Sequence, residues 1–253
     1  MSIYFLLGAI LFFYMCFWYF IAILKKRNDV ADIAWGLGFI LLAWTSFYFS
    51  GFSLIALIIN IFVTIWGVRL STHIYLRNRN RGEDSRYLAW RQEWKYFYLM
   101  SFFQVFMLQG LLLFLIVYPV IFINANTSIN FNYLYLFGIF VWIFGFIFES
   151  VADWQLKSFI SRPENKGKIM QSGLWKFSRH PNYFGEVTMW WGIFLVALIL
   201  PYGFYTIVGP LTITFLILFV SGIPMLEKRY EGDTMFEKYK KKTSRFIPWF
   251  PKG

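Results

Sequence analysis

An arginine, a histidine, an asparagine, a tyrosine and a glutamate fall within eight residues in Arg179-His-Pro-Asn-Tyr-Phe-Gly-Glu186, just ahead of an apolar run that includes Trp190 and Trp191. Polar groups crowded at the mouth of an apolar helix cost roughly 2–7 kcal/mol each to desolvate unless something meets them. Pro181 suits the first turn of a helix, because its missing N–H would be unpaired there anyway. Asn182 and Glu186, four residues apart, then share a face, with Tyr183 and Trp190 close to the same stripe. Such a face offers an amide, a carboxylate, a phenol and an indole to one ligand, while Arg179 and the helix N-terminus supply positive potential for an anionic part of it. That is cofactor-like chemistry. The plainer alternative is a juxtamembrane helix start, with basic residues at the headgroups and Trp and Tyr in the aromatic belt. It leaves Glu186 inside the membrane without a task.

The elements that must position this face are membrane helices. The chain is 58% hydrophobic, 24% aromatic and only 15% charged, far more apolar than a soluble domain. All 24 Lys and Arg fall in four clusters, at 25–27, 69–95, 157–179 and 228–252, separated by long apolar runs. The net charge of +11 therefore follows the positive-inside rule, and no nucleic-acid partner is expected. The pattern predicts one all-α integral membrane domain, residues 1–253, of seven transmembrane helices: Ile3–Leu24, Val30–Ser50, Phe52–Tyr75, Phe97–Ile123, Tyr133–Trp154, Asn182–Leu200 and Phe204–Met225. Lys25-Lys-Arg27 follows the first span and holds that end in the cytoplasm, which puts the N-terminus outside and the C-terminus in the cytoplasm. The single cysteine, Cys16, excludes an internal disulfide. His73 and His180 are far apart and lack a ligand pattern, so no catalytic metal is expected.

Further polar residues interrupt the spans. Asp32, Trp35 and Gly36 share one face at the start of the second, where Asp32 is either functional or a second cap beside Asp29. Arg69, His73 and Arg77 make a basic stripe that runs into Arg79, Arg81, Glu83, Asp84, Arg86 and Tyr87. This is either a set of arginines snorkelling to headgroups or a phosphate clamp. The fourth span, with Gln104 and Gln109 its interior polar residues, reads as scaffold. In the fifth, Glu149, Asp153 and Lys157 share a face, and Glu149 follows sixteen uncharged residues, which turns it toward the protein interior. The loop 162–168 is a solvated connection or a lid. The lysine run ending at Lys242 reads as a lipid-facing patch.

Gly173-Leu-Trp together with Arg179–Glu186 resembles the C-terminal signature of the steroid 5-alpha-reductase-like membrane enzymes, in particular their bacterial branch known as the DUF1295 family. The Arg-His-Pro-x-Tyr core is also similar to that of isoprenylcysteine carboxyl methyltransferases and sterol C14 and C7 reductases. The resemblance implies an integral protein of the bacterial inner membrane, with an active site open to the cytoplasm, that uses NADPH. It acts on a lipophilic, steroid- or isoprenoid-like substrate among membrane lipids. By matched position the resemblance implies that Asp153, Asn182 and Glu186 are cofactor contacts, and it assigns His180 and Tyr183 of the same signature to cofactor binding. Arg179, Arg69, Arg77 and Arg81 are assigned to the phosphates by charge and neighbourhood. The implied reaction reduces a carbon–carbon double bond conjugated to a carbonyl, with Asp32 as the catalytic carboxylate of the second helix. The third helix departs from the family: it has Trp66, and no tyrosine before Tyr75, so it holds no evident proton donor, because an indole N–H is not a practical acid. Two alternatives stay open: a methyltransferase using S-adenosylmethionine, and a non-enzymatic lipid-binding or assembly protein, which would need no Glu186.

Overall fold

The computed structural model describes residues 3–126 and 132–252, so most of the uncharged loop 124–132 lies outside the described residues. Those residues form an all-helical protein without strands. Six helices are long and apolar enough to cross a membrane. They are α1 (Ile3–Lys25), α2 (Val30–Ser50), α3 (Leu54–Asn78), α5 (Phe97–Ala125), α6 (Leu134–Ile160) and α8 (Gly203–Lys228). Between them lie α4 (Ser85–Glu93) and α7 (Pro181–Leu198), and α9 (Thr234–Lys242) follows. The 18 residues of α7 would reach about 27 Å at 1.5 Å per residue. It is not among the six, because Asn182, Tyr183, Glu186 and Thr188 dilute its hydropathy.

Contacts cluster into two compact units, Met1–Phe131 with Leu200–Val208, and Asn132–Ile199 with Gly209–Gly253. In the first unit α2 is central. Its Gly36 meets α3 at Gly67 so closely that a Cβ on either would stand 2.7 Å from the other's carbonyl oxygen. Gly38 of α2 receives Leu113 of α5, and Gly110 of α5 receives Met15 of α1. Without a hydrophobic drive between helices in lipid, such close approach is what packs them. Toward the far end of α2, Asn124 donates to the Ala43 carbonyl and Ser46 Oγ, at 3.0 and 2.7 Å, and accepts from Asn60 at 2.7 Å. Three helices are thereby tied by amides whose pairing would otherwise be missing in hydrocarbon.

The second unit is built on α6 against α7. Gly138 and Gly145 of α6 face Gly192 and Gly185 of α7, and a Cβ on Gly145 would stand 2.6 Å from the Gly185 carbonyl. Glu149 is buried on this seam, as its place after a long uncharged run predicts. Helix α8 changes pitch along its length, from a tight turn at Gly203–Ile207 to α and then to π geometry at Leu216–Val220, before it resumes at Ile223. That irregularity brings Glu227 to the end of α8, where it meets the signature stretch.

Candidate functional site

Each unit carries one cluster of charged side chains at the ends of its helices, and the sequence-predicted residues divide between them. In the first unit, Asp32 lies on the first turn of α2 and its carboxylate is bound from α4, not used as a cap. Tyr87 Oη donates to Asp32 Oδ1 at 2.8 Å, and Arg86 Nη2 donates to Oδ2 at 3.0 Å. Asp29, the expected cap, makes no capping bond. Instead it takes the Arg27 guanidinium at 3.0 and 2.6 Å and an amide N–H of Asn78 at 3.3 Å.

Helix α4 was hidden in what the sequence presents as a polar loop. Asp84 caps it, accepting from the Arg86 N–H at 3.0 Å, and the same carboxylate oxygen takes Arg86 Nε at 3.0 Å. The arginine is thus braced between Asp84 and Asp32. The loop ahead of α4 is strapped down by Arg27, which donates to the Arg81, Asn78 and Gly82 carbonyls, and by the Arg91–Glu83 pair at 3.1 Å. Tyr87 is only 2% exposed, with its ring edge-on to Trp90. Burial raises its phenol well above the usual value; the Asp32 carboxylate adds to this, while Arg86 and Gln109 act in the opposite sense. Such a phenol keeps its proton at neutral pH. Of the residues assigned to phosphate, Arg77 and Arg81 are exposed and Arg69 is half-buried. Trp66 is buried against Phe39 in the core of α3.

In the second unit the signature stretch folds as a hub. Gly173 adopts φ +61°, a left-handed conformation that a side chain would strain, and a Cβ there would strike Gln155. Trp175 then donates to the Ala152 carbonyl of α6 at 3.1 Å and accepts from Tyr239 Oη of α9 through its own carbonyl. Ser178 bridges to Ser244, and its hydroxyl donates to the Phe246 carbonyl at 2.7 Å.

Arg179, 7% exposed, donates to Glu227 Oε1 at 2.9 Å and to the Lys240 and Thr243 carbonyls, each at 3.1 Å. His180 Nε2 meets the same Glu227 oxygen at 3.0 Å, and Tyr183 stacks on the imidazole. Burial pulls the His180 imidazole below its usual value, helped by Arg179 and Arg245 and opposed by Glu227. One turn on, Asn182 Nδ2 donates to Asp153 Oδ1 of α6 at 3.1 Å, and Glu186 follows half-buried on the same face. A cavity of about 200 Å³ opens beside this hub. Trp175, Phe236, Tyr239 and Met170 give it apolar walls, and His180, Asn182 and Glu227 a polar edge.

Sequence reasoning missed Glu227, Tyr239 and the Tyr87–Asp32 bond. Glu227 and Tyr87 were visible as polar residues near span ends, but their partners lie 47 and 55 residues away, and nothing local announces the pairing.

Six apolar helices, with polar groups drawn into two clusters, define an α-helical membrane protein. Residues 18–243 match the DUF1295 family, described as a protein of unknown function, and the chain belongs to that family. No curated protein and no solved structure matches the chain.

Proposed function

We propose that this chain is a membrane-embedded NADPH-dependent reductase that saturates a carbon–carbon double bond conjugated to a carbonyl in a lipophilic, steroid- or isoprenoid-like substrate. In this reading seven helices span a bacterial inner membrane, with α7 the seventh, the N-terminus outside and the C-terminus in the cytoplasm. The observation that carries it is the buried Tyr87 hydroxyl donating to Asp32 at 2.8 Å. It supplies a phenolic acid held by the second-helix carboxylate, the element that Trp66 could not provide.

The residues of the second unit fit a nicotinamide dinucleotide in kind. Asn182, Asp153 and Glu186 offer amide and carboxylate partners. The neighbouring cavity of about 200 Å³ is smaller than the roughly 300–1,000 Å³ of pockets for drug-sized ligands, so it suits one flat ring system rather than the whole cofactor. Arg179 acts by holding the hub together. When bound, the nicotinamide supplies hydride. The chain does the rest. Asp32 and Arg86 hold Tyr87 in place; with substrate bound, the Tyr87 O–H would turn from Asp32 to the substrate carbonyl oxygen and pass its proton there as the β carbon accepts hydride.

Isothermal titration of the detergent-solubilised protein tests the cofactor. NADPH should bind, and Asn182→Ala should weaken it about tenfold, near 1.4 kcal/mol. Tyr87→Phe should leave that binding intact and slow single-turnover reduction of an enone about 10²-fold. Binding of S-adenosylmethionine without NADPH would replace this reading with the methyltransferase one.

A further inference from the structure

The residues after α9 fold back on themselves. The Lys252 N–H donates to the Lys242 carbonyl at 2.9 Å, so residues 242–252 form a closed loop with an exposed lysine on each side of its neck. Along its length the loop is pinned to the stretch ahead of α7. The Ser244 carbonyl accepts from the Arg179 N–H at 2.8 Å, and the Trp249 N–H donates to the Phe177 carbonyl at 2.9 Å. Pro248 and Pro251 have no N–H to satisfy. Compact loops with close ends are frequent carriers of function.

What this loop presents is apolar. Ile247, Trp249 and Phe250 are 63%, 70% and 78% exposed, and outside the membrane helices such a patch marks a contact surface. Its place in the fold narrows the partner. Phe246 packs edge-on against Phe184 at the start of α7. Arg245 donates to the Leu218 carbonyl at 3.4 Å, well before the apolar helix α8 ends at Lys228. The loop therefore lies along the flank of apolar helices, not out in water.

The charge around it has one sign. Helix α9 buries Phe236 and Tyr239 and exposes Lys238, Lys241 and Lys242, and Lys176 and Lys252 are exposed as well. The one acid in the sequence 234–252, Glu237, is paired with Lys240 at 2.9 Å. Aromatic rings settle at headgroup level, and lysines beside them attract anionic lipid. We infer that the 242–252 loop is a membrane-surface anchor: Ile247, Trp249 and Phe250 insert among the headgroups, and the surrounding lysines bind anionic phospholipid. The sequence alone marks the lysine run as lipid-facing; the apolar tip and the closed neck come from the fold. The anchor does not depend on the reductase reading. Because Ser178 and Arg179 bond the loop's backbone, lipid held there also braces the hub.

The test reads the loop tip in a bilayer. Cys16 is the single cysteine, so in a Cys16→Ser background Ile247→Cys carries the only thiol. It is labelled with an environment-sensitive fluorophore, and the full chain is placed in nanodiscs of phosphatidylcholine mixed with phosphatidylglycerol. A nitroxide on lipid should quench the label strongly and iodide in water weakly. In titrations, nitroxide-bearing phosphatidylglycerol should quench at a lower fraction than nitroxide-bearing phosphatidylcholine. That preference should fall about fivefold for each charge removed in Lys242→Gln and Lys252→Gln, and Lys242→Arg should keep it. These side chains are exposed and the 242–252 backbone bond does not use them, so the variants fold. Strong quenching by iodide with little by lipid overturns the proposal, since the tip then stands in water. A label shielded from both quenchers is covered by protein, a second copy or another chain, and overturns it equally. Equal quenching by the two lipids, unmoved by the lysine variants, overturns the binding of anionic phospholipid.

Discussion

The two polar clusters are built from the same parts, an arginine, a carboxylate and a ring, yet they do different things. In the first unit Asp32 receives a phenolic proton at 2.8 Å and Arg86 braces the carboxylate from beside; the bond at the centre joins two side chains. In the second unit Arg179 donates to Glu227 and to two backbone carbonyls, and His180 shares the same Glu227 oxygen. Those bonds tie the start of α7 and the end of α8 to the C-terminal end of α9. The stretch that looks most chemical in the sequence is therefore half strap, and its second polar pair begins one turn later with Asn182 on Asp153. The general lesson is that a charged motif at a helix mouth must first satisfy its own backbone before it can serve a ligand.

If the second cluster is a strap, removing its carboxylate should cost folding before it costs chemistry. Glu227→Gln leaves the buried Arg179 guanidinium without its counter-charge, at about 3–5 kcal/mol. For a chain of this size the thermal midpoint should fall by roughly 6 °C or more, read by heating the solubilised protein. The activity that survives per folded molecule should stay close to native. A stable Glu227→Gln protein that is catalytically dead would reverse the comparison.

The complementary change is Asp32→Asn. Arg86 keeps Asp84, so stability should shift modestly, while hydride transfer should fall about 10²-fold because the carboxylate that places the Tyr87 hydroxyl is lost, even though removing its charge lowers the Tyr87 pKa, with NADPH binding nearly intact. Full activity in Asp32→Asn, measured in single turnover, would remove Asp32 from the mechanism.

A third variant asks whether the second unit depends on close backbone approach as heavily as on its ion pairs. Gly145→Ala drives a methyl toward the Gly185 carbonyl and the Met189 N–H, at 2.6 and 2.7 Å. It should cost about 1–3 kcal/mol in thermal stability. Gly8→Ala in α1 is the control, because nothing lies within 4 Å of the added carbon; it should be neutral or slightly stabilising. Equal behaviour of the two variants would show that the α6–α7 seam has slack.

The long helices were legible because hydropathy alone defines them in a bilayer. The second span falls at Val30–Ser50, as the sequence predicts. Helix α4 was not legible, since nine residues of mixed polarity carry no long period, and its cap, Asp84, looks like one more loop acid. The face of Asn182 and Asp153 was legible in part: spacing put Asn182 on a helix face, but only folding brings Asp153 to it from α6. Gln109 read as scaffold because a lone amide in an apolar run has no local partner. The glycine pairs 138/145 and 185/192 stand seven residues apart in the sequence, yet which pair meets which is a property of the packed helices.

The smallest effect concerns His180 and sharpens the strap reading through pH. Burial holds its imidazole below the usual value in the folded protein; Arg179 and Arg245 act in the same direction, and Glu227 opposes them. In the unfolded chain the imidazole titrates near 6.5, the ordinary value. Below that pH the unfolded state binds a proton that the folded state does not, so stability should decline as the pH falls from about 6.5 toward the folded value. Above about 6.5 both states are neutral at this group and it adds no slope. The thermal midpoint, measured at intervals from pH 8 down to about 5.5, should therefore be flat and then fall. His180→Gln, which can still donate to Glu227, should lose less over the same range, because the glutamine does not titrate. If native protein and His180→Gln trace the same curve, the hub does not shift the imidazole; if the native protein gains on His180→Gln as the pH falls, the Glu227 oxygen it shares with Arg179 binds it as a cation instead.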